Sequence, residues 1–581
     1  MNNDVAIDQY ILETSWSTRI TDDIVKEAIQ GEIPAEMEAN IYAGINAINN
    51  GTVPNKVIFI KFFSLLLREK IGKPIQAIST QLGHIAGIKD AAKAFVWGII
   101  LVKSCRDSGL YTLKYEENEW YVCPNFTLNG DIKHRIAKLQ YLPPMKTVPL
   151  NWTNNHNGGW MWENKSILLG NKFTKHEGAQ AYDVINKLQQ IPWKIDNETY
   201  LFEKDTNRGL NKKQFLRVID EYIGSPFHFV WRYDSRGRSY SSGYDLNLQS
   251  NEYGKALISL HNKEKITNIG NMYIAIANHA GMDKLTWKDR IKWAISSDPA
   301  KIKWKQPILG RKAIRALKDA EAGKPSGYVM SLDATSSGLQ IMAAISGCKQ
   351  TAMQVNMIDP DERKDIYGHV ADQMNIHLAK PVLRDLAKEA TMTHYYNSKA
   401  NPQRVFNDDS LKVFYKTLNG LLPGAEGVMA TINECWNPKA NAHSWSLPDG
   451  HEVYVPVVEA INEVYEDNEL GEIPFRHYRQ TNSNNYRSLC PNVIHSIDGY
   501  IAREMVRRAP FQLAHIHDCF VFSPDHLQEV VALYKEIMAE IAKGNIFRDI
   551  LRQITGNPLL EITKYSNDLD QDIMNSSYML S

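Results

Sequence analysis

The chain has 581 residues, of which 43% are hydrophobic and 23% are charged, and this composition and length predict a globular protein of a few domains. Lys and Arg together number 66, as do Asp and Glu, so the formal net charge is zero. This balance disfavours a surface covered throughout with DNA-binding charge. It permits a basic channel beside an acidic site, because phosphate binding depends on local potential.

Cysteine usage and the N-terminal residues bear on the cellular location. The six cysteines are scattered without a CxxC pair, so we expect neither a zinc site nor a disulfide framework. The first residues, MNNDVAIDQY, have the pattern of neither a secretory signal nor a transit peptide. The longest apolar run, AFVWGIILV at residues 94–102, is about half a membrane span and predicts a buried helix. We therefore expect a cytoplasmic protein without membrane contact.

Residues up to about 140 are predicted to be mainly helical. Two apolar stretches of helical length, VIFIKFFSLLL from Val57 and AAKAFVWGIILVK from Ala91, contain few helix breakers. Three prolines between Leu142 and Trp152 then favour extended chain and a domain boundary. A further helix is predicted over AQAYDVINKLQQ, and Pro192 ends it.

From about residue 225 the pattern changes to that of strands. HFVWRYDSRGRSYSS is aromatic and β-prone, and it predicts strands joined by a turn. YVMSLDATSSG is an apolar run that ends at Asp333, as expected of a strand that delivers a carboxylate to a loop. LAHIHDCFVFSP has two apolar arms around His517 and Asp518. The long section between these two segments is predicted to be largely helical.

Asp333 and Asp518 suit the ligands of a pair of divalent cations. Phosphoryl transfer requires two such ions to activate the attacking hydroxyl and to neutralise the leaving pyrophosphate. Mg²⁺ prefers oxygen ligands and keeps several waters, so two carboxylates and a backbone carbonyl, which Ala334 can offer, are sufficient. The alternative is that each aspartate merely caps a strand or a turn. His-x-His-Asp around Asp518 also suggests a metallohydrolase, but no further His/Asp cluster completes such a site.

A helix with a distinctive face is predicted over RDLAKEATMTHYYNSK. Arg384, Lys388, Met392 and Tyr396 recur every four residues, so they lie along one side of that helix. The two cations suit a triphosphate, Met392 suits a base, and Tyr396 suits a sugar. The alternative is a solvated basic stripe beside a core stripe, which is common on amphipathic helices.

The segment that ends at Asp333, the helix from Arg384 to Tyr396 and the segment around Asp518 follow one another along the chain. In this order they resemble motifs A, B and C of the bacteriophage and mitochondrial single-subunit RNA polymerases. The resemblance covers residues 140–581, and its further parts are SRGRSY, DIYGHVADQMN, PNVIHSIDG, LPPM with GGW, and the final DIMNSSYMLS, which is similar to the family's apolar C-terminal tail. It implies a DNA-dependent RNA polymerase that uses two Mg²⁺ ions and ribonucleoside triphosphates, with a DNA template and an RNA product.

The same resemblance implies roles for individual residues. Metal binding is implied for Asp333, Ala334 and Asp518. Lys388, a candidate proton donor to pyrophosphate, and Tyr396 join the two aspartates as catalytic residues. Nucleotide binding is implied for Arg384, Lys388, Met392, Tyr396, Gly338 and His495. Template or hybrid binding is implied for Arg236, Arg238 and Tyr240, and His517 is expected to be a structural neighbour of the second aspartate.

The product is predicted to be RNA. The related DNA polymerases carry a glutamate five positions after the first aspartate, where it blocks a ribose 2′-hydroxyl, and this chain has Gly338 there. They also carry an aromatic residue four positions after the lysine, where this chain has Met392. A simple turn glycine is the alternative explanation of Gly338.

The implied fold is α+β and predominantly helical, a right-hand polymerase with palm, fingers and a reduced thumb. We expect a helical N-terminal domain (1–140), a linker with the reduced thumb (141–224), palm (225–345), fingers with a candidate specificity hairpin (346–485), and palm with the C-terminal tail (486–581). The hairpin would carry Arg476, His477 and Arg479. The basic stretch KWAISSDPAKIKWKQPILGRKAIRALK could track phosphates, with a solvated helix face as the alternative.

The chain departs from the family in its short intervals and at single positions. Asn397 follows the tyrosine of motif B where glycine is expected, Glu389 follows the lysine, and Ser235 replaces a tryptophan. We therefore expect a phage enzyme in the cytoplasm of a bacterial host, which needs an accessory protein or single-stranded template at promoters. The alternatives are a primase or DNA polymerase of the same fold, or a non-catalytic DNA-binding transcription subunit.

Overall fold

The computed structural model describes residues 28–29, 33–67, 72–126, 142–162, 165–170, 176–203, 216, 218–243, 246–359, 361–479 and 485–581. The chain separates into two compact units. The larger unit comprises the described residues of 143–457 and 484–581, and the smaller unit those of 11–142 and 458–483.

The helices, in chain order, are α1 (Ala35–Ile48), α2 (Asn55–Leu67), α3 (Ile75–Ile85), α4 (Ala91–Ser104), α5 (Tyr182–Gln189), α6 (Asn197–Glu203), α7 (Glu252–Leu257), α8 (Ile269–His279), α9 (Trp287–Ser296), α10 (Pro307–Glu321), α11 (Ser337–Ser346), α12 (Lys349–Gln354), α13 (Ile366–Asn375), α14 (Arg384–Tyr395), α15 (Ala400–Val405), α16 (Asp408–Leu421), α17 (Pro423–Glu434), α18 (Leu489–Arg508), α19 (Leu527–Lys543), α20 (Ile546–Thr555) and α21 (Leu569–Met574). The strands are β1 (Lys73–Pro74), β2 (Tyr111–Glu116), β3 (Glu119–Pro124), β4 (Trp193–Ile195), β5 (Trp231–Tyr233), β6 (Ser239–Ser241), β7 (Ile258–Leu260), β8 (Glu264–Lys265), β9 (Pro325–Ser326), β10 (Met330–Asp333), β11 (Ala442–Ser446), β12 (Glu452–Pro456), β13 (Glu459–Asp467), β14 (Gly471–Arg479), β15 (Leu513–Ile516) and β16 (Cys519–Phe522).

The smaller unit packs α1–α4 with the sheet β1-β3-β2 and the hairpin β13–β14 around one apolar core. Helices α3 and α4 approach closely because glycine stands at the crossing: a Cβ at Gly98 would lie 1.9 Å from the Ser79 carbonyl oxygen. The hairpin stacks Phe475 on Phe95 with ring centroids 4.0 Å apart. The contacts therefore group the hairpin with the N-terminal residues, whereas the sequence grouped it with residues 346–485.

The centre of the larger unit is the antiparallel sheet β10-β16-β15. Apolar and polar residues alternate along β10, whereas β15 and β16 are mostly apolar. Leu332, Phe520 and Phe522 are almost fully buried. Helices α11, α18 and α19 pack against one another beside it. The Tyr534 ring of α19 lies 5.9 Å from the Phe520 ring, and its hydroxyl donates to Gln340 Oε1 of α11 at 3.0 Å.

Several predictions from the sequence are confirmed. The architecture is α+β and rich in helices; α2, α4 and α5 lie where the apolar stretches and spacing predicted helices, and α14 lies where the four-residue spacing from Arg384 predicted one. Both aspartate-bearing segments form strands, and the SRGRS segment forms the turn between β5 and β6. The sheet β1-β3-β2 was not anticipated in a region predicted to be mainly helical. Among the described helices, none is both long and apolar enough to cross a membrane.

Candidate active site

The two predicted aspartates meet on neighbouring strands of the central sheet. Asp333 ends β10 and pairs in register with Cys519, the first residue of β16, so Asp518 lies directly beside it. Asp518 occupies the two-residue turn between β15 and β16, where His517 takes a φ of 57°, uncommon for a residue other than glycine. The tight turn therefore presents Asp518 at the same sheet edge as Asp333.

The electrostatics reflect this proximity. The pKa of Asp333 is raised to about 7, first by loss of hydration against the surrounding protein and second by the negative charge of Asp518. The side chain is nevertheless open to a cavity on one side. The positive charge of Lys388 opposes that rise. Two carboxylates held this close repel each other until a cation or a proton lies between them.

The backbone of Asp333 is held by the C-terminal residues. Ser581 N donates to the Asp333 carbonyl at 2.9 Å, and Thr335 N donates to the Met579 carbonyl at 2.9 Å. Ala334 lies opposite Leu580, between these two hydrogen bonds, so its own N–H and C=O point away from the C-terminal residues. The Ala334 N–H donates to the Asp518 carbonyl at 3.2 Å, which directs the Ala334 peptide toward the second aspartate.

Helix α14 forms the opposite wall of a cavity of about 310 Å³ that both aspartates line. Lys388 and Met392 line it from α14, Tyr396 lines it from the position directly after α14, and Gly338 lines it from the start of α11. A Cβ at Gly338 would meet only Ile494 Cγ2 at 3.7 Å, so the space there is open rather than closed by a tight turn.

The end of α14 explains how asparagine replaces the glycine expected after the tyrosine. Asn397 adopts φ 63°, the left-handed conformation that asparagine tolerates better than most residues. Its amide donates to Asn433 Oδ1 of α17 at 2.6 Å. The substitution thus preserves the backbone that places Tyr396 at the cavity.

Arg384 lies in an adjoining cavity of about 100 Å³, together with Lys388 and Asp333. Asp365 accepts two bonds from its guanidinium, at 2.5 Å from Nε and 3.0 Å from Nη2. The Arg384 guanidinium and the Lys388 ammonium lie 5.9 Å and 5.7 Å from the ring centroid of Tyr367. The predicted triphosphate-binding arginine is therefore oriented by a carboxylate.

The SRGRS turn brings the predicted template-binding residues to the same site. Arg238, which lines the main cavity, forms an ion pair with Asp498 at 2.8 Å. Arg236 bonds Asp234 at 2.7 Å and His495 Nδ1 at 2.8 Å. The Tyr240 hydroxyl donates to Asp234 Oδ2 at 3.1 Å, and its ring packs 4.9 Å from that of His517.

His495 is held as a neutral imidazole beside Tyr396, whose ring is 5.1 Å away. Burial, followed by the charges of Arg238 and Arg236, lowers the pKa of His495 to about 2. Because Arg236 donates to Nδ1, the proton resides on Nε2, and this buried atom has no hydrogen-bond partner among the described residues. His495 therefore contacts Tyr396, which lines the main cavity, but it is not itself a lining residue of either cavity.

Reasoning from the sequence missed several residues that complete this arrangement. Asp365 and Tyr367 come from DIYG, Asp498 comes from SIDG, and Asp234 precedes the SRGRS turn. The first three stand in segments that carried the family resemblance, so a signal was present although no role was assigned to them. The pairing of Ser581 with Asp333 had no signal beyond the similarity of the tail.

The residues fit a cation pair held chiefly by carboxylates. Within the described ranges, no group of three or more His, Cys, Asp or Glu side chains is arranged to hold a metal ion. Asp333, Asp518 and the Ala334 carbonyl supply oxygen donors alone, which suits a hard cation that retains water. The site does not resemble a His/Cys centre.

Comparisons with known proteins find sequence similarity to DNA-directed RNA polymerases. A family model described as DNA-dependent RNA polymerase matches residues 311–405, which include Asp333 and α14. A probable DNA-directed RNA polymerase of Gelasinospora sp. is 25% identical over 338 residues, 48% of this chain and 40% of the relative. The DNA-directed RNA polymerase of Pseudomonas phage phiKMV is 28% identical over 238 residues, 36% of this chain and 28% of the relative. DNA-directed RNA polymerase 1, mitochondrial, of Arabidopsis thaliana is 23% identical over 402 residues, 56% of this chain and 40% of the relative.

The matched segments span less than half of the length of these relatives. These three relatives come from a fungus, a phage and a plant, and the name of each contains DNA-directed RNA polymerase. The ordered motifs, the paired aspartates and these matches together show that the chain is similar to the single-subunit DNA-dependent RNA polymerases of phages and organelles.

Proposed function

We propose that the chain synthesises RNA on a DNA template from ribonucleoside triphosphates by two-metal nucleotidyl transfer. The observation that carries the proposal is the cavity in which Asp333 and Asp518 face Lys388 and Tyr396. Carboxylates for cations, a lysine for phosphate and an aromatic side chain for the sugar are the groups that this reaction requires.

Asp333, Asp518 and the Ala334 carbonyl are the proposed ligands of Mg²⁺. When bound, two Mg²⁺ ions would activate the 3′-hydroxyl of the growing strand and neutralise charge on the leaving pyrophosphate. The raised pKa of Asp333 supports this role, because a site that keeps two carboxylates close together favours a divalent cation.

Lys388 and Arg384 are the proposed triphosphate ligands. Both line the smaller cavity beside Asp333, and Tyr367 contacts both. Asp365 fixes the guanidinium plane of Arg384, and Nη1 makes only a long bond of 3.4 Å to the exposed Asp385, which a phosphate oxygen can replace. Lys388, as an ammonium close to Asp333, can give a proton to the pyrophosphate as it departs.

Selection of ribonucleotides is proposed for Gly338, Met392 and Tyr396. The open space at Gly338 admits a 2′-hydroxyl where a side chain would block it. Tyr396 packs against His495, whose Nε2 donor has no partner among the described residues, and this pair forms the proposed sugar-binding wall.

We further infer a right-hand arrangement. In it, the β10-β16-β15 sheet is the palm and α14 belongs to the fingers. The proposed N-terminal domain (1–140) and reduced thumb (within 141–224) both include residues outside the described ranges, and the hairpin β13–β14 packs with the described part of the former. Arg236, Arg238 and Tyr240 are proposed to hold the template or the hybrid, because Arg238 lines the cavity and the other two both bond Asp234 of the same turn. The phage origin and bacterial host stay predictions, since the relatives include organelle enzymes.

A primed-template extension assay tests the proposed reaction. Purified protein is given an RNA primer on a DNA template, Mg²⁺, and either ribonucleotides or deoxyribonucleotides. We expect extension with ribonucleotides and a loss on the order of 10³-fold or more in Asp518→Asn. Asp107→Asn, at a carboxylate that is 95% exposed, is the matched control.

The outcome also separates the alternatives. Extension with deoxyribonucleotides alone would favour a DNA polymerase, and products that stay only a few nucleotides long on every template would favour a primase. If Asp518→Asn extends the primer as well as the unmodified chain, the chain is a non-catalytic subunit and the proposal is wrong.

We also propose that promoter use requires an accessory protein or single-stranded template. The support is the short interval between Asp196 and Ser225, which leaves little chain for a thumb. Transcription by the purified chain is compared on native and on heat-denatured DNA that carries the same promoter. Equal promoter-specific synthesis on both would contradict this part of the proposal.

A further inference from the structure

A second groove lies in the larger unit and shares no lining residue with the candidate active site. It has a volume of about 470 Å³ and is lined by α6, by the segment around Trp304 and by one face of α10. A volume of this size is in the range of sites that hold a small organic group such as a nucleotide base.

The groove is cationic in a chain whose net charge is zero. Between Asp283 and Lys324 the chain has twelve Lys or Arg residues and five Asp or Glu residues. Four cations line the groove, Arg311, Lys312, Arg315 and Lys318, against the single carboxylate of Glu198. The local potential therefore attracts anions.

The four cations are not equivalent. Arg315 is neutralised by Asp196 at 2.5 Å and by Glu198 at 3.1 Å. Lys312 is buried at the floor, where burial lowers the pKa of its ammonium to about 8 and its Nζ donates to the Ile258 carbonyl at 2.7 Å. Arg311 and Lys318 are exposed at the rim, about two turns apart along α10, and are the cations best placed for phosphate.

Two aromatic side chains border the same space. Phe202 of α6 is 68% exposed, and the guanidinium of Arg311 lies 4.9 Å from its ring centroid. The Trp304 indole is pressed against Gly310 of α10, where a Cβ would lie 2.3 Å from the ring. Glycine at that position thus allows the indole to lie along the helix with one edge of the groove formed by its ring.

We infer that this groove binds an unpaired base of a single nucleic-acid strand, between Phe202 and Trp304, with the flanking phosphates on Arg311 and Lys318. Aromatic faces accept any base by stacking, and cations at the rim follow the backbone. An apolar peptide would not use the cations, and a duplex would not present a free base. The strand is either DNA template or RNA product, which share this chemistry.

Binding of labelled single strands tests the inference without requiring nucleotide addition. Fluorescein-labelled oligo(dT) and oligo(rU) are titrated by anisotropy at several salt concentrations against Phe202→Ala/Lys318→Ala. The control is Leu201→Ala/Lys324→Ala: Leu201 is 60% exposed on the same helix, and neither residue lines the groove. Because all four side chains are exposed, both variants are expected to fold.

We expect the Phe202→Ala/Lys318→Ala variant to bind at least about fivefold more weakly than the control, because one base stack is lost. The slope of log affinity against log salt should fall by about 0.7, since one phosphate contact to a single strand is removed. Affinity and salt slope equal to those of the control would overturn the inference, whether or not the chain extends primers.

Photocrosslinking identifies the strand. A template–RNA scaffold carries 5-iodo-deoxyuridine in the DNA overhang or 4-thiouridine in the RNA overhang. The strand that crosslinks to the peptide with Phe202 or Trp304 occupies the groove, and this crosslink should disappear in the Phe202→Ala/Lys318→Ala variant. If neither strand crosslinks to either peptide, the inference is overturned.

Discussion

Arg503 and Asp449 form an ion pair from which water is almost completely excluded, with side chains that are 0% and 1% exposed. Arg503 Nε and Nη2 bond the two carboxylate oxygens at 2.5 Å and 3.1 Å, and Nη1 donates to the Gly237 carbonyl at 2.6 Å. Gly237 takes φ 86° in the SRGRS turn, and a Cβ there would lie 2.7 Å from Arg503 Nη1. The pair therefore supports the turn that carries Arg238.

Removal of the carboxylate from this pair should be strongly destabilising. We expect Asp449→Ala to lower the free energy of unfolding of the unit that contains it by about 3 to 5 kcal/mol, because Arg503 would remain charged and buried. Denaturant unfolding followed by circular dichroism measures this. The control is Glu389→Ala, which breaks an exposed pair with Arg404 and should cost less than about 1 kcal/mol. Equal effects of the two substitutions would show that burial of the pair does not matter.

A side chain at Gly338 should turn the nucleotide site against ribose. Gly338→Glu is expected to lower kcat/KM for ribonucleotides relative to deoxyribonucleotides by at least about tenfold, because the carboxylate would occupy the space of the 2′-hydroxyl. Single-nucleotide extension of a primed template gives both values. Gly338→Ala serves as control, since a Cβ there meets only an ordinary contact and should leave the ratio nearly unchanged. A ratio that moves equally in both variants would place the ribose elsewhere.

The hydroxyl of Tyr396 should contribute to sugar selection. Burial raises the pKa of this hydroxyl, so it stays protonated and able to donate at neutral pH. We expect Tyr396→Phe to extend primers with ribonucleotides at a similar rate and to accept deoxyribonucleotides about tenfold better. Competition between the two nucleotides in one reaction measures the ratio. Tyr415→Phe, on α16, is the control, and an unchanged ratio in Tyr396→Phe would remove the hydroxyl from selection.

Repulsion between Asp333 and Asp518 should appear in the pH dependence of stability. The folded-state pKa of Asp333, about 7, lies above that of an unfolded aspartate, so the folded chain binds the proton more tightly. The stability contributed by this proton is fully present below about pH 4 and is lost as the pH rises through 7. Asp333→Asn cannot ionise and should therefore gain stability over the unmodified chain as the pH rises.

In metal-free buffer we expect that gain to reach about 1 to 2 kcal/mol at pH 8, a value reduced for solvent screening in the open cavity. At pH 5 the difference should be clearly smaller. Unfolding in urea at the two pH values measures it. Addition of Mg²⁺ at pH 8 should stabilise the unmodified chain more than the variant. A difference that is independent of pH would mean that the two carboxylates do not interact.

Local sequence patterns account for much of the site. Apolar runs that end at Asp333 and flank Asp518 predicted two strands, and the four-residue spacing from Arg384 to Tyr396 predicted one helix face; all three are confirmed. These patterns are legible because strand and helix periodicity is a property of consecutive residues. The three-stranded sheet at residues 73–124 was missed, because buried and exposed residues do not alternate regularly along its two six-residue strands.

By itself, the sequence determined the order of the motifs, the residue types that can bind cations and triphosphate, and the elements that carry them. The tertiary structure alone decided that Asp365 orients Arg384, that Asp498 pairs with Arg238, that Ser581 bonds the backbone of Asp333, and that Phe202 lies beside Arg311. The physical reason is distance along the chain: such contacts join residues separated by 19 to 260 positions, and packing of the core, rather than any local repeat, brings them together.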